Sequence, residues 1–447
     1  MPDKNENIYI LREIDKVLLS WKNEETRKPL LLRGARQVGK SSAVRNLARS
    51  FEYFIEVDFE AQRNLHALFN SSLNPVVICE QLSLLYEKPI IEGKTLLFFD
   101  EIQGCLPAIS SLRYFYEKMP DLHILAAGSL LEFALQELPS FGVGRVRSLF
   151  VRPFSFNEYL SACSQTRLVE TIKNASDSNP LSELIHEKII AQYKRFMAIG
   201  GMPAVVANYV SKGDMLACMK IIDDLVISFH DDFAKYKRLM PAHRIREAFD
   251  AVVLQMGGKF VYTKAAMSSD PKQIKTAIEL LILAGLVIPV THSSSNGIPL
   301  GAEVDPKKRK MLIFDTGVFQ RLLGLNIGEL MIGNSFEVVN KGALAELSVG
   351  LELSKLSSCY QRDSLYYWQR ESISGNAEVD YVIQKGEQII PIEVKSGVKG
   401  AMQSLHLFIK EKISQEGIRL SLENFGKYKN ITIIPLYAVS AIGRVKP

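Results

Sequence analysis

The stretch "PLLLRGARQVGKSSAVRNLARSF", residues 29–51, sets a short apolar run, a glycine-bracketed turn and an amphipathic segment carrying Val44, Leu47 and Ala48 on one side in direct succession. Gly34, Gly39, Lys40 and Ser41 satisfy the spacing G-x-x-x-x-G-K-[ST]. That order predicts strand, loop and helix. The glycines let backbone N–H groups along Gly34, Ala35, Arg36, Gln37, Val38, Gly39, Lys40, Ser41 and Ser42 wrap phosphate oxygens at a helix N-terminus. Lys40 reaches the outer phosphates and the Ser41 hydroxyl is placed to ligate Mg²⁺. The implied ligand is a nucleoside triphosphate with its magnesium.

Working outward, "KTLLFFDEIQ" (94–103) is a continuous apolar run ending in Asp100 and Glu101. Buried parallel strands read this way, and their C-terminal edge is where open α/β sheets place ligands. Asp100 is expected to hold Mg²⁺ through water and Glu101 to orient the attacking water. The second acid has no evident duty in a small-molecule kinase, so the pair favours hydrolysis. "LHILAAGSLLEF" (122–133) supplies a strand before Ser129, for which two readings stand: a hydroxyl near the γ-phosphate, or a helix N-cap. "FGVGRVRSLFVRPFSFNEYL" (141–160) offers Arg145 or Arg147 as a source of transition-state charge, in cis or from a neighbouring subunit. With "YFIEVDFE" (53–60) the pattern reaches five strands.

These segments, together with "GGMPAVV" from Gly200, resemble a prokaryotic AAA-type ATPase of the additional-strand, catalytic-glutamate class. The resemblance implies ATP as the nucleotide. It also implies a C-terminal region with a winged helix and a restriction-endonuclease-like fold, and allows a ring-like homo-oligomer.

Composition bounds what else the chain can be. Its 447 residues exceed one ordinary core, and 47% apolar with 23% charged residues is typical of a globular protein. A net charge of +5 over this length leaves nucleic-acid binding to be argued from local patches. Cys79, Cys105, Cys163, Cys218 and Cys359 lack metal or disulfide spacing. "MPDKNENIYI" has no signal-like apolar core, and "AIELLILAGLVIPV" (277–290) is short of a membrane span. The expectation is a cytoplasmic protein with no membrane partner.

Residues 161–240 show helical periodicity and mixed charge, and "HDDFAKYK" (230–237) reads as a polar helix face in preference to a metal site. From 241 to 330 the order is "RIREAFDAVVLQMG", "YTKAAMSS" and "DPKQIKTAIELLILAGLV", then two extended runs flanking "PKKRK" (306–310), expected at a hairpin tip. Asp270 and Pro271 form a helix start, with Ile274, Ala277, Ile278 and Leu281 on one face and Lys272, Gln273, Lys275 and Thr276 on the other. That is a winged-helix pattern. Its basic face and Lys307 to Lys310 suit DNA, while the same fold also serves protein partners.

Near the end, "EVDYVI" and "QIIPIEVK" flank Lys385-Gly386, an expected hairpin turn that puts Asp380 opposite about residue 392 and close to Glu393. Glu393 and Lys395 share a strand face. With Glu346 on the preceding helix this resembles the PD-(D/E)xK nuclease fold, Val379 replacing the usual proline. The resemblance implies Asp380, Glu393 and Glu346 as Mg²⁺ ligands and Lys395 as a catalytic cation; cutting and mere binding both remain open.

The expected architecture is therefore α/β: a P-loop NTPase parallel sheet in 1–160, a helical connector in 161–240, a winged helix in 241–330 and a small restriction-endonuclease-like domain in 331–447. Two functions follow. One is an Mg²⁺-dependent ATPase driving a DNA-directed C-terminal half; the other is an ATP-gated switch for a protein partner with an inactive nuclease-like fold.

Overall fold

Apolar runs four to six residues long, separated by amphipathic helices, fold into a parallel sheet because each strand must be covered on both faces. The computed structural model of the chain describes residues 9–129, 131–137, 144–236, 239–266, 270–324, 341–370, 377–398, 400–412 and 414–444. Phe141 to Val143, Met267 to Ser269 and the junction expected near 330 lie outside the described residues. The chain divides into two units, one of residues 1–153 with 358–362 and one of 154–357 with 363–447.

The first unit holds β1 (Leu30–Arg33), β2 (Tyr53–Asp58), β3 (Thr95–Asp100), β4 (His123–Ala127) and β5 (Arg147–Phe150), ordered β2-β3-β4-β1-β5. All neighbours are parallel. β4 therefore stands between the loop-bearing β1 and the acid-bearing β3, which is the additional strand. Every residue of β3 and β4 is buried. Beside β3, Phe59, Phe69, Phe99 and Phe115 meet edge to face at centroid separations of 5.1–6.0 Å, each such pair adding roughly 0.5–1.5 kcal/mol beyond its buried area. Residues 358–362 complete the outer edge: the Phe150 amide donates to the Cys359 carbonyl at 2.7 Å.

In the second unit, β6 (Val287–Ser293), β7 (Val304–Ile313), β8 (Leu365–Gln369), β9 (Glu378–Lys385), β10 (Gln388–Val394), β11 (Gly417–Ser421), β12 (Gly426–Tyr428) and β13 (Ile431–Pro435) form one mixed sheet. Its order is β12-β13-β11-β10-β9-β8-β6-β7. The hairpin β6–β7, expected as a wing, and the strands expected for a nuclease-like domain are thus continuous, joined where β6 pairs in parallel with β8. The sheet crosses the boundary placed near residue 330. The helix Pro271–Leu283 follows the reading above: Asp270 caps the Lys272 amide at 2.9 Å, Ile274, Ala277, Ile278 and Leu281 are buried, and Lys272, Gln273, Lys275 and Thr276 are exposed.

"PKKRK" is not a hairpin tip. Residues 306–310 lie within β7, with Arg309 paired to Thr291 and Lys310 to Val290. Strand alternation sends Arg309 and Lys310 to opposite faces: Arg309 pairs with Glu279 on the helix Pro271–Leu283 at 2.6 Å, while Lys310 turns inward and is 1% exposed. Among the described residues, no helix is long and apolar enough to cross a membrane.

Candidate functional site

The loop leaving β1 turns on Gly34, whose φ of +130° and 2.2 Å clearance between a hypothetical Cβ and the Val151 carbonyl oxygen exclude any side chain. Gln37 and Gly39 also have positive φ, and Gly39 precedes the helix Lys40–Ala48. Lys40 Nζ donates to the carbonyls of Gly34 at 3.0 Å and Ala35 at 2.8 Å. Burial drives the Lys40 pKa down to about 8, against the opposing pull of Glu101 and Asp100. Arg12 braces the loop from outside, donating to the carbonyls of Val38 at 2.9 Å and Arg152 at 2.5 Å.

Asp100 ends β3 as a buried carboxylate, raised in pKa mainly by that burial and held partly in check by a hydrogen bond from Ser41. Ser41 and Asp100 are therefore neighbours, the pair a magnesium ion on the phosphates needs. Glu101 sits at φ +45°, a left-handed conformation costing a non-glycine residue roughly 1–2 kcal/mol. Strain of that kind clusters at functional sites. Its carboxylate accepts from Gln103 Nε2 at 2.5 Å and from Ser129 Oγ at 3.2 Å. Ser129 thus orients Glu101, a role neither earlier reading gave it. Gly128 matters for the same reason, since a Cβ there would lie 1.9 Å from Gln103 Oε1.

The arginine expectation is corrected for action in cis. Arg147 opens β5 opposite Leu30, at the N-terminal end of the strands, so it and Arg145 lie at the edge away from the phosphate loop. Arg145 pairs with Glu117 at 2.5 Å and Arg147 with Glu24 at 2.8 Å. Nearer the loop, Arg33 pairs with Glu132, which also receives Arg362.

In the second unit the hairpin β9–β10 turns at Gly386-Glu387, one residue later than expected, and its register continues to place Asp380 opposite Glu393. Asp380 Oδ2 accepts the Val394 amide at 2.8 Å, and Lys395 Nζ lies 2.5 Å from Glu393 Oε1. Glu346 joins them from the helix Lys341–Leu356, whose backbone is fastened by Tyr381 Oη donating to the Glu346 carbonyl at 2.7 Å. The four expected residues do come together. What the sequence reading missed is Lys310: its ammonium lies 2.8 Å from Glu346, 2.5 Å from Glu378 and 3.8 Å from Asp380. This corrects its assignment to DNA contact, because a side chain neutralising buried acids is unavailable to phosphate.

Burial raises the Glu346 and Glu393 carboxyls above the usual carboxylate range, with Asp380 adding to the rise at Glu393, while Lys310 opposes it at Glu346 and Lys395 opposes it at Glu393. Asp380 is also raised, first by desolvation. For Lys310, burial alone would lower the pKa, but the surrounding carboxylates override it and hold the charge. Among the described residues no three or more His, Cys, Asp or Glu side chains converge as a metal site. His230 packs against Phe233 and Phe249 with centroids 5.6 and 6.2 Å away.

Residues 26–160 match the family model of the AAA domain. Residues 190–328 and 341–439 match two domains of unknown function, DUF8612 and DUF4143. No curated protein matches the chain. Among solved structures, the Walker-type ATPase of Pyrococcus abyssi is similar at 16% identity and TM-score 0.46, over 72% of this chain and 98% of that one. The Orc1 protein of Aeropyrum pernix, solved in complex with DNA, is similar at 14% identity and TM-score 0.29, over 74% of this chain and 97% of that one. At such scores neither likeness extends to function.

Proposed function

We propose that the first unit binds and hydrolyses ATP with Mg²⁺, and that nucleotide state governs how the C-terminal half engages DNA. The observation carrying this reading is the Glu101 carboxylate, held by Gln103 and Ser129 one residue from an Asp100 that is itself hydrogen-bonded by Ser41. Lys40 moves from the Gly34 and Ala35 carbonyls to the outer phosphates, exchanging neutral acceptors for charged ones. Glu101 orients a water for in-line attack on the γ-phosphorus and takes its proton; the bond to the β–γ bridging oxygen breaks, releasing ADP and phosphate. Ser41 and Asp100 would hold Mg²⁺, which when bound neutralises charge building on the phosphates.

For DNA, the exposed Lys272, Gln273 and Lys275 and the start of β7, at Lys307 and Lys308, form the contacting set in this reading. Coupling is supported by residues 358–362, which belong to the nucleotide-binding unit yet connect the helix Lys341–Leu356 to β8. Arg362 there pairs with Glu132, the partner of Arg33 beside the loop.

The test is phosphate release and fluorescence-anisotropy DNA binding by the full chain. Lys40→Ala is expected to abolish turnover, and undiminished turnover sinks the ATPase assignment. Absence of DNA binding at low salt, with or without ATP, transfers the reading to a protein-directed switch.

A further inference from the structure

A first magnesium ion in a phosphodiesterase site demands several free oxygen ligands at about 2.0–2.1 Å in near-octahedral array. The carboxylates gathered by β9, β10 and the helix Lys341–Leu356 do not offer them. Asp380 spends Oδ2 on the Val394 amide and turns Oδ1 toward Lys310. Glu346 Oε1 and Glu378 Oε1 are both on the Lys310 ammonium, and Glu393 Oε1 is on Lys395. Glu393 Oε2 is buried without a hydrogen-bond partner. With five of the eight carboxylate oxygens turned to an amide or an ammonium, the remainder does not supply a near-octahedral magnesium shell.

We propose that this cluster is a nuclease-like site closed from within, in which the Lys310 ammonium occupies the place a divalent cation would need between Glu346 and Asp380. The fold then binds no divalent metal there and does not cut phosphodiesters. Two cations within a few ångströms repel strongly in a poorly solvated site, so metal entry requires Lys310 to leave. It is buried and anchored. Its side chain is 2% exposed, it lies 5.3 Å from the Tyr367 ring centroid, and its backbone is committed to the β6–β7 ladder at Val290. The ammonium instead joins β7 to β9 and to the helix Lys341–Leu356, a structural cross-link in a position the surrounding acids alone would leave as a metal site.

This inference is independent of the ATPase reading. The test is Mn²⁺ binding to the full chain without nucleotide, followed by electron paramagnetic resonance, with cleavage of supercoiled DNA in Mg²⁺ or Mn²⁺ alongside. In the parent chain, Mn²⁺ stoichiometry is expected to be the same with Asp380→Asn, and no cleavage is expected. Lys310→Met is expected to bind one Mn²⁺ more than the parent, and the added Asp380→Asn is expected to remove it. Metal binding or cleavage by the parent that Asp380→Asn abolishes overturns the proposal, as does a folded Lys310→Met that gains no metal. Should Lys310→Met fail to fold, the comparison of parent with Asp380→Asn decides alone.

Discussion

Gly128→Ala isolates the second role of the acid pair without touching a residue that meets nucleotide in this scheme. A Cβ at 128 would stand 1.9 Å from Gln103 Oε1, far inside contact distance, and the obstructing atom is the end of a flexible side chain. The cheapest relief is rotation of Gln103, so global stability should change little. That rotation breaks the 2.5 Å bond from Gln103 Nε2 to Glu101 and leaves Ser129 Oγ, at 3.2 Å, as its remaining side-chain anchor. A catalytic group displaced by about 1 Å typically loses on the order of 10²-fold in rate, equivalent to about 2.7 kcal/mol in the barrier. Steady-state phosphate release should therefore show kcat down about a hundredfold, while the affinity for a fluorescent ATP analogue stays near that of the parent. Gln103→Ala should give the same split. Parent-like kcat in both variants refutes the claim that Gln103 positions Glu101, and lost nucleotide binding in Gly128→Ala would locate its effect in the loop.

Three further outcomes follow from the same geometry. Burial holds Lys40 at about 8 in the free protein, and phosphate favours its charged form; nucleotide affinity should be full below that value and weaken as pH rises through it, by up to about tenfold per unit, which a titration at pH 7 and 9.5 would check. Arg12→Ala removes donors to the Val38 and Arg152 carbonyls and should cost roughly 1.5–3 kcal/mol, read as a fall in denaturation midpoint that ATP partly restores. Lys272→Ala with Lys275→Ala should weaken DNA binding alike for all sequences and reduce the salt slope by about 0.9 per charge removed.

How far the sequence discloses this site depends on how far apart in the chain its parts lie. The phosphate loop is legible because its functional groups fall between Gly34 and Ser42 and its geometry is local. Asp100-Glu101 is legible from its position at the end of a fully apolar strand. Nothing local announces that Gln103 and Ser129 share Glu101, or that Arg12, well upstream, reaches the Val38 carbonyl; those contacts exist only after β3 and β4 are side by side. Which end of the sheet Arg145 and Arg147 occupy is illegible for the complementary reason. A charged residue next to a strand is equally plausible at either end, and the parallel register with β1 decides the end.

The second sheet shows the same division more sharply, because one strand carries both the legible and the illegible information. The run "PKKRKMLIF" contains four consecutive cations, and a charge-based reading puts them together at an exposed tip. Strand alternation requires the opposite: Lys310 shares a face with Leu312, and Arg309 takes the other. Leu312 approaches Gly350 of the helix Lys341–Leu356, the helix that carries Glu346, so Lys310 had to arrive among acids once β7 entered the sheet. The pairing of β6 with β8 then fixes which acids, by putting β9 in the same sheet with two strands between it and β7. A charge run in a chain thus divides by parity when it becomes a strand. Here the division gives Arg309 to Glu279 and makes Lys310 the counter-ion of a site whose acids alone would have been read as magnesium ligands.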